Sequence, residues 1–243
     1  MNLLLLMADE VVDAHVVLKD SRARHVREVL RAQVGQELTA GVVGYRPCKA
    51  MVVALDGEEV VLRLGAAFGE PASTPLLSLA VALPRPKALL RVVETAASFG
   101  IAEIALINAW KVEKAYFQSP KLEPRYLLAA AARGCEQGGH TILPQVRTHR
   151  RFMQYVDTLG KRDETWRWLF DPSAKATLVS AGGTGEKALL AFGPEGGWIP
   201  QERETWLAHG FQAVALATPI LRTEIAIATA LGQVALCRSA VGR

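Results

Sequence analysis

Apolar positions in the first third of the chain come in short runs or alternate with polar ones, and turn residues divide them. Residues 3–7 form one such run, and residues 16–18, 37–43, 49–55 and 60–64 read as strands, the last two joined by Asp56-Gly57, a hairpin signal. One helix interrupts them over residues 21–31, with Ser21 as candidate cap and Val26, Val29 and Leu30 as its inner face. Residues 69–75, GEPASTP, have the composition of a linker, and the pattern changes beyond them. Residues 76–83 are a nearly unbroken apolar strand, residues 86–99 an amphipathic helix stopped by Gly100, and residues 104–107 another strand. A helix over residues 123–135 carries four consecutive alanines and breaks at Gly138-Gly139. A helix over 151–159, a strand over 166–170 and a polar loop over 171–186 follow. Strand 188–192, a helix from Pro200 to Gly210, strand 213–216 and a last helix with Thr223 as candidate cap complete the chain. Buried strands alternating with helices predict an α/β fold with a mostly parallel sheet behind a smaller β-rich module, divided as residues 1–70 and 71–243.

Two loops leave the ends of successive strands. GPEGGW, Gly193 to Trp198, puts three glycines where bare backbone can bend sharply and approach a ligand. The second, residues 216–224, carries Pro219, Arg222 and Glu224. Ligands of open α/β sheets bind at such strand ends. An earlier glycine loop, residues 182–187, superficially suggests a phosphate cradle, but Ala188 and a strand follow its lysine, where a P-loop needs Ser or Thr and a helix. GPEGGW also fails as a dinucleotide fingerprint, since its spacing is wrong and no acid follows at the ribose-binding distance.

Charge changes the picture modestly. A net +4 and a pI near 9.1 are compatible with an anionic partner without requiring one. The basic residues concentrate in two places: Arg24, Arg27 and Arg31 beside His25, spaced to share a helix face, and the stretch from Arg133 to Arg151 with His140 and Arg147, read as loops beside a cleft. A solvated helix face is the competing reading of the first group, and plain surface charge of the second. Cys48, Cys135 and Cys237 are odd in number and far apart, against a disulfide framework or a CxxC metal site, so a reducing cytoplasm is expected. No apolar run reaches a bilayer-spanning length, and residues 3–7 lack the flanks of a signal peptide, so no membrane partner is expected.

Gly193 to Gly197, then Ile220 to Glu224 (ILRTE), with Cys135-Glu136-Gln137-Gly138 and Pro144 upstream, resemble the RsmE family of SPOUT-class RNA methyltransferases. His25 to Arg31 is similar to the HxxRVLR stretch of that family's N-terminal module, so the resemblance runs along nearly the whole chain. It implies an N-terminal PUA-like β-barrel that binds RNA, a SPOUT domain with a C-terminal trefoil knot, and a homodimer. It also implies methyl transfer from S-adenosylmethionine to N3 of a uridine in the decoding region of 16S ribosomal RNA, on the RNA or the small subunit.

Carried onto this chain, the resemblance assigns the cofactor to Phe170, Gly193, Pro194, Glu195, Gly196, Gly197, Leu216, Pro219, Ile220 and Leu221. RNA contacts fall to Arg24, His25, Arg27, Arg31, Arg133 and Arg147. Arg222 is the candidate to stabilise charge on the uridine ring, and Glu195 or Glu224 the candidate to take its proton or to hold Arg222. No metal is implied. Thr95 and Ser98 replace a usual lysine and glutamate, Ala109-Trp110-Lys111 a usual Ser-Glu-Arg, and His140, Ala217, Pro219 and Ile225 also depart from the pattern. These departures keep open an inactive RNA-binding assembly factor of the same fold or a methyltransferase for another RNA. ATP chemistry at the loop 182–187 is a further alternative. Cys135 reads as a buried structural thiol.

Overall fold

A computed structural model describes residues 3–69, 75–178, 187–216 and 220–241, with side chains through 238 in the last helix. The chain forms two compact units, one from Met1–Thr74 and Cys135–Leu143, the other from Pro75–Gly134 and Pro144–Arg243.

The first unit is a five-stranded mixed sheet. Its strands are β1 (Leu4–Leu6), β2 (His15–Leu18), β3 (Glu37–Val42), β4 (Pro47–Asp56) and β5 (Glu59–Ala67), in the order β1-β3-β4-β5-β2. β1 runs parallel to β3, and every other pairing is antiparallel. The β4–β5 hairpin closes at Gly57, whose φ of +53° suits glycine. Val16, Leu18, Val52, Val60 and Leu62 fill the core, as period-two alternation requires.

The expected helix over 21–31 is only partly helical. An α-turn covers Ser21–Arg24, capped by Asp20 rather than Ser21, because the Asp20 carboxylate accepts from the Arg22 amide. A π-turn, His25–Val29, continues it. That wider turn shifts later residues out of the α-helical register, so Val26 is buried while Val29 and Leu30 point to solvent. Arg31 lies beyond the turn with φ +49°, so Arg24, Arg27 and Arg31 do not share one helix face. Arg22 is the organising base instead. Its guanidinium binds Glu10, Asp20 and the Leu5 carbonyl, tying the three-ten turn Ala8–Glu10 to β1.

The second unit holds a six-stranded sheet in which every pairing is parallel. In chain order come β6 (Leu77–Ala82), the helix Pro86–Ser98, β7 (Glu103–Ile107), the helix Pro124–Gly138 and β8 (Gln145–His149). The helix Phe152–Val156, β9 (Trp166–Phe170), β10 (Ala188–Phe192), the helix Pro200–Ala208, β11 (Gln212–Val214) and the helix Thr223–Val241 follow. The order is β11-β9-β10-β6-β7-β8. β6 and β10 are buried at every position, which explains their unbroken apolar sequences.

Several boundaries differ from the sequence expectation. The stretch from 133 to 151 is not loop: Arg133 lies on a helix and Arg147 on β8, an edge strand too exposed to show an apolar pattern. The helix expected over 151–159 shrinks to Phe152–Val156 and a three-ten turn, Leu159–Lys161. The last helix begins at Thr223, but its first carbonyl acceptor is Arg222, which takes the cap position. Among the alanines of the third helix Ala130 and Ala131 are buried, yet the closest approach is at Gly134, where a Cβ would stand 2.2 Å from the Glu94 carbonyl oxygen. Of the small residues described in the last helix only Ala230 is fully buried; the inner face is Thr223, Ile227, Ala230, Leu231 and Val234, and the helix packs on the helix Pro86–Ser98. The expected linker and the glycine loop lie, but for Gly69, Pro75 and Lys187, outside the described residues. No helix among those described is long and apolar enough to cross a membrane.

Candidate active site

The sheet order reverses between β6 and β10: the chain proceeds outward through β7 and β8, then returns to build β9, β10 and β11 on the other side. Loops leaving such a switch point part from one another and leave a crevice. Here the crevice measures about 570 Å³, within the range of small-molecule sites. Phe170 to Pro172 border it from β9, Phe192 to Trp198 from β10, Val214 to Leu216 from β11, and Ile220 to Thr223 with Ala226 from the last helix. All the residues expected to bind a cofactor therefore line one cleft, except Pro219, which lies outside the described residues. Phe170 and Phe192 stack on each other with centroids 4.6 Å apart and planes 5° from parallel, and this buried pair gives the cleft an apolar lining.

GPEGGW turns sharply, with Gly197 at φ +70° and its amide bonded to the Pro194 carbonyl at 2.8 Å. A Cβ on Gly193 would come within 3.0 Å of Nε1 of Trp198, so the turn wraps its own indole. Glu195 is engaged by Arg85, the residue between β6 and its helix: one guanidinium edge, Nε and Nη2, donates to both carboxylate oxygens, Nη2 at 2.6 Å. The paired carboxylate raises the Arg85 pKa above its ordinary value. Lys111 donates from Nζ to the Gly196 carbonyl at 2.7 Å. Glu202 is buried and accepts from the Trp110 amide at 2.7 Å and the Ile199 amide at 3.2 Å, which fastens the loop after β7 to the end of the glycine turn. Next to it Arg203 binds Asp171 at 2.7 Å. Burial opposes charge on Asp171, but Arg203 and Ser173 outweigh it and hold the carboxyl below its usual range.

Arg222 and Glu195 are both on the cleft wall, and no hydrogen bond or ion pair of the Arg222 guanidinium occurs among the described residues. Glu224, the second residue of the helix, is not on the wall, though it is near enough for its charge to act on Arg85. The expectation that Glu195 holds Arg222 is not met; its partner is Arg85. The expected RNA contacts fall on both units. Arg24, Arg27 and Arg31 are exposed on the first unit, where Nε2 of His25 is buried without a hydrogen bond. Arg133 pairs with Glu94 at 3.1 Å, and Arg147 with Gln145 at 2.8 Å. Cys135 is fully buried, and burial with the Glu136 charge pushes its thiol up to about 11. No group of three or more His, Cys, Asp and Glu among the described residues is placed to hold a metal ion.

The sequence reading left Arg85 and Glu202 out and gave no site role to Lys111 and Trp198. Leu83-Pro84-Arg85-Pro86, a proline-marked turn at a third strand end, was the available signal for Arg85. Lys111 and Glu202 act through partners 85 and 92 residues away, which no local pattern shows.

Glycine turns and apolar walls at the carboxyl ends of adjacent parallel strands define an α/β protein that binds a small molecule at its sheet edge. A family model for the RNA methyltransferase domain matches residues 72–235. The ribosomal RNA small subunit methyltransferase E of Treponema pallidum is 31% identical over 237 residues, covering 95% of this chain and 89% of that one. A relative of the same name numbered 1, from Borreliella burgdorferi, is 22% identical over 93% of this chain and 94% of its own. In fold, the chain is similar to a methyltransferase from Legionella pneumophila solved with S-adenosylmethionine (TM-score 0.79, 21% identity, 97% of each chain). A ribosomal RNA small subunit methyltransferase E from Neisseria gonorrhoeae, bound to the same molecule, superimposes with TM-score 0.77 at 20% identity over 96% of each chain. The chain belongs to the RNA methyltransferase domain family and, within it, to the RsmE family of small-subunit ribosomal RNA methyltransferases.

Proposed function

We propose that this protein methylates N3 of a uridine in the decoding region of 16S ribosomal RNA, with S-adenosylmethionine as methyl donor. The observation that carries the reading is the cleft itself: the GPEGG turn and the Ile220–Arg222 segment face one space of about 570 Å³. Its contents suit the donor. The Phe170–Phe192 pair gives the cleft an apolar lining for a purine, and the glycine turn offers backbone without side chains. Gly193 to Gly197, Leu216, Pro219, Ile220 and Leu221 are the residues assigned to hold it. When bound, the donor supplies a methyl group already activated by its sulfonium charge, so the protein's work is binding, orientation and exclusion of water.

Attack from N3 requires loss of the N3 proton, which leaves negative charge on the ring. Arg222, on the wall and without an ion pair among the described residues, is positioned to stabilise that charge. Glu195 already shares both oxygens with Arg85 and is assigned to hold the turn in shape. Glu224 is then the other candidate acceptor for the proton, from outside the cleft wall. The first unit is assigned as a PUA-like module that contacts RNA through Arg24, His25, Arg27 and Arg31, with Arg133 and Arg147 adding contacts from the second. The last helix is assigned to a trefoil knot and to a homodimer interface, a reading supported by its exposed Ile225 and Leu236. The setting is the cytoplasm.

N3 methylation blocks the pairing edge of uridine. Reverse transcription of 16S ribosomal RNA from cells with the gene is expected to stop at one uridine that is read through in cells without it. Identical stops in both would refute the assignment, and failure of the purified protein to bind S-adenosylmethionine calorimetrically would favour an RNA-binding assembly factor.

A further inference from the structure

Trp110 leaves 79% of its surface to solvent, an unusual position for the largest apolar side chain. Its backbone is not loose. The Trp110 amide is held by the buried Glu202, Val112 bonds back to Ala109, and both Ala109 and Val112 are buried, so the loop presents the indole from a fixed base. The next residue, Lys111, lies against the glycine turn, with Nζ on the Gly196 carbonyl. Adjacent Cα atoms are about 3.8 Å apart, so the indole stands beside the rim of the cleft. The same rim is basic. Arg150 is exposed at the end of β8, its guanidinium 5.6 Å over the Phe117 ring, and its carbonyl accepts from Asn108 in the Trp110 loop. One acid, Glu113, lies on this segment and accepts from Tyr116.

A flat, rigidly based aromatic surface among cations suits an unstacked base of a polyanion, since any base has a π-face and the cations meet the backbone. Lys111 and Arg150 are anchored on the Gly196 and Phe117 carbonyls, and an apolar protein surface would gain nothing from their charge. We propose that a single-stranded base of the RNA substrate stacks on the Trp110 indole and is thereby steered to the cleft. The proposal rests on the RNA-methyltransferase reading and names a substrate-positioning residue for it.

The test compares the full-length protein with Trp110→Ala and Trp110→Phe, using a 16S ribosomal RNA fragment and, separately, oligouridylate. Trp110→Ala is expected to raise KM for the RNA about 5- to 150-fold, the loss of one base stack, with S-adenosylmethionine affinity unchanged. Trp110→Phe restores most of the KM. Oligouridylate is expected to quench indole fluorescence in the wild type, and that component should vanish in Trp110→Phe. Wild-type KM in Trp110→Ala overturns the proposal, as does a change in oligomeric state with KM unaltered, which would assign the indole to a second copy of the chain. If the wild type transfers no methyl to RNA, the functional reading fails, and the quenching experiment still decides whether a base stacks on Trp110.

Discussion

The two halves of the parallel sheet's carboxyl edge are built on different principles. Beyond β9, β10 and β11 the edge is mostly backbone: a turn with three glycines, a stacked phenylalanine pair and the start of a helix enclose the cleft. Beyond β6, β7 and β8 it is mostly side chain, with Arg85, Lys111 and Arg150 reaching partners far away in sequence and the Trp110 indole exposed to solvent. Backbone surfaces suit an invariant small ligand approached closely, whereas long side chains suit a large, varied one. On the function proposed above, the first half takes the methyl donor and the second its recipient.

Substitutions can separate the halves. Arg222→Ala removes the cation on the cleft wall and is expected to lower kcat about 10²- to 10³-fold, with the folded state and donor affinity kept, measured by single-turnover methylation and calorimetry. Turnover at the wild-type rate would remove Arg222 from the chemistry. Glu202→Gln acts on both halves at once, because this buried carboxylate serves the Trp110 and Ile199 amides. Replacing one acceptor by an amide group should cost about 1–3 kcal/mol in urea unfolding and weaken both RNA and donor binding. A loss confined to one of them would show that the halves are independent. Gly197→Ala strains only the first half: at φ +70° a Cβ should cost about 1 kcal/mol and lower donor affinity while the RNA KM stays near wild type.

Acid should disturb the second half. The backbone of His149 holds Asn108 in the Trp110 loop, and burial, aided by Arg147 and Arg162 against Glu103, keeps the His149 pKa below 6.5. The unfolded chain therefore binds a proton more readily at this residue. Stability is fully present above the unfolded pKa and is lost as pH falls from about 6.5 towards the folded value. Urea unfolding at about pH 7.5 and 5.5 should show this loss, and His149→Phe should reduce it; an unchanged pH dependence would clear His149.

The same contrast governs what could be read from the residues alone. β10 runs over residues 188–192 as expected, because an unbroken apolar run ending in glycine is a local signal. β8 went unseen because an edge strand carrying Arg147 and Thr148 needs no apolar face. In the first unit the register of Val29 and Leu30 depended on a π-turn that no residue pattern announces. At the cleft, glycines and prolines marked the backbone half. Arg85 pairs across 110 residues of sequence, a contact that exists only once β6 and β10 lie side by side.

Glu202 and Arg203 are consecutive on the helix Pro200–Ala208, so their side chains leave it about 100° apart. One captures two amide donors and the other a carboxylate. If that helix slid by a single residue, a cation would confront N–H groups and an anion would confront Asp171. Misthreading is thus penalised twice at one spot, and a nine-residue helix acts as a lock on the alignment of the whole sheet edge.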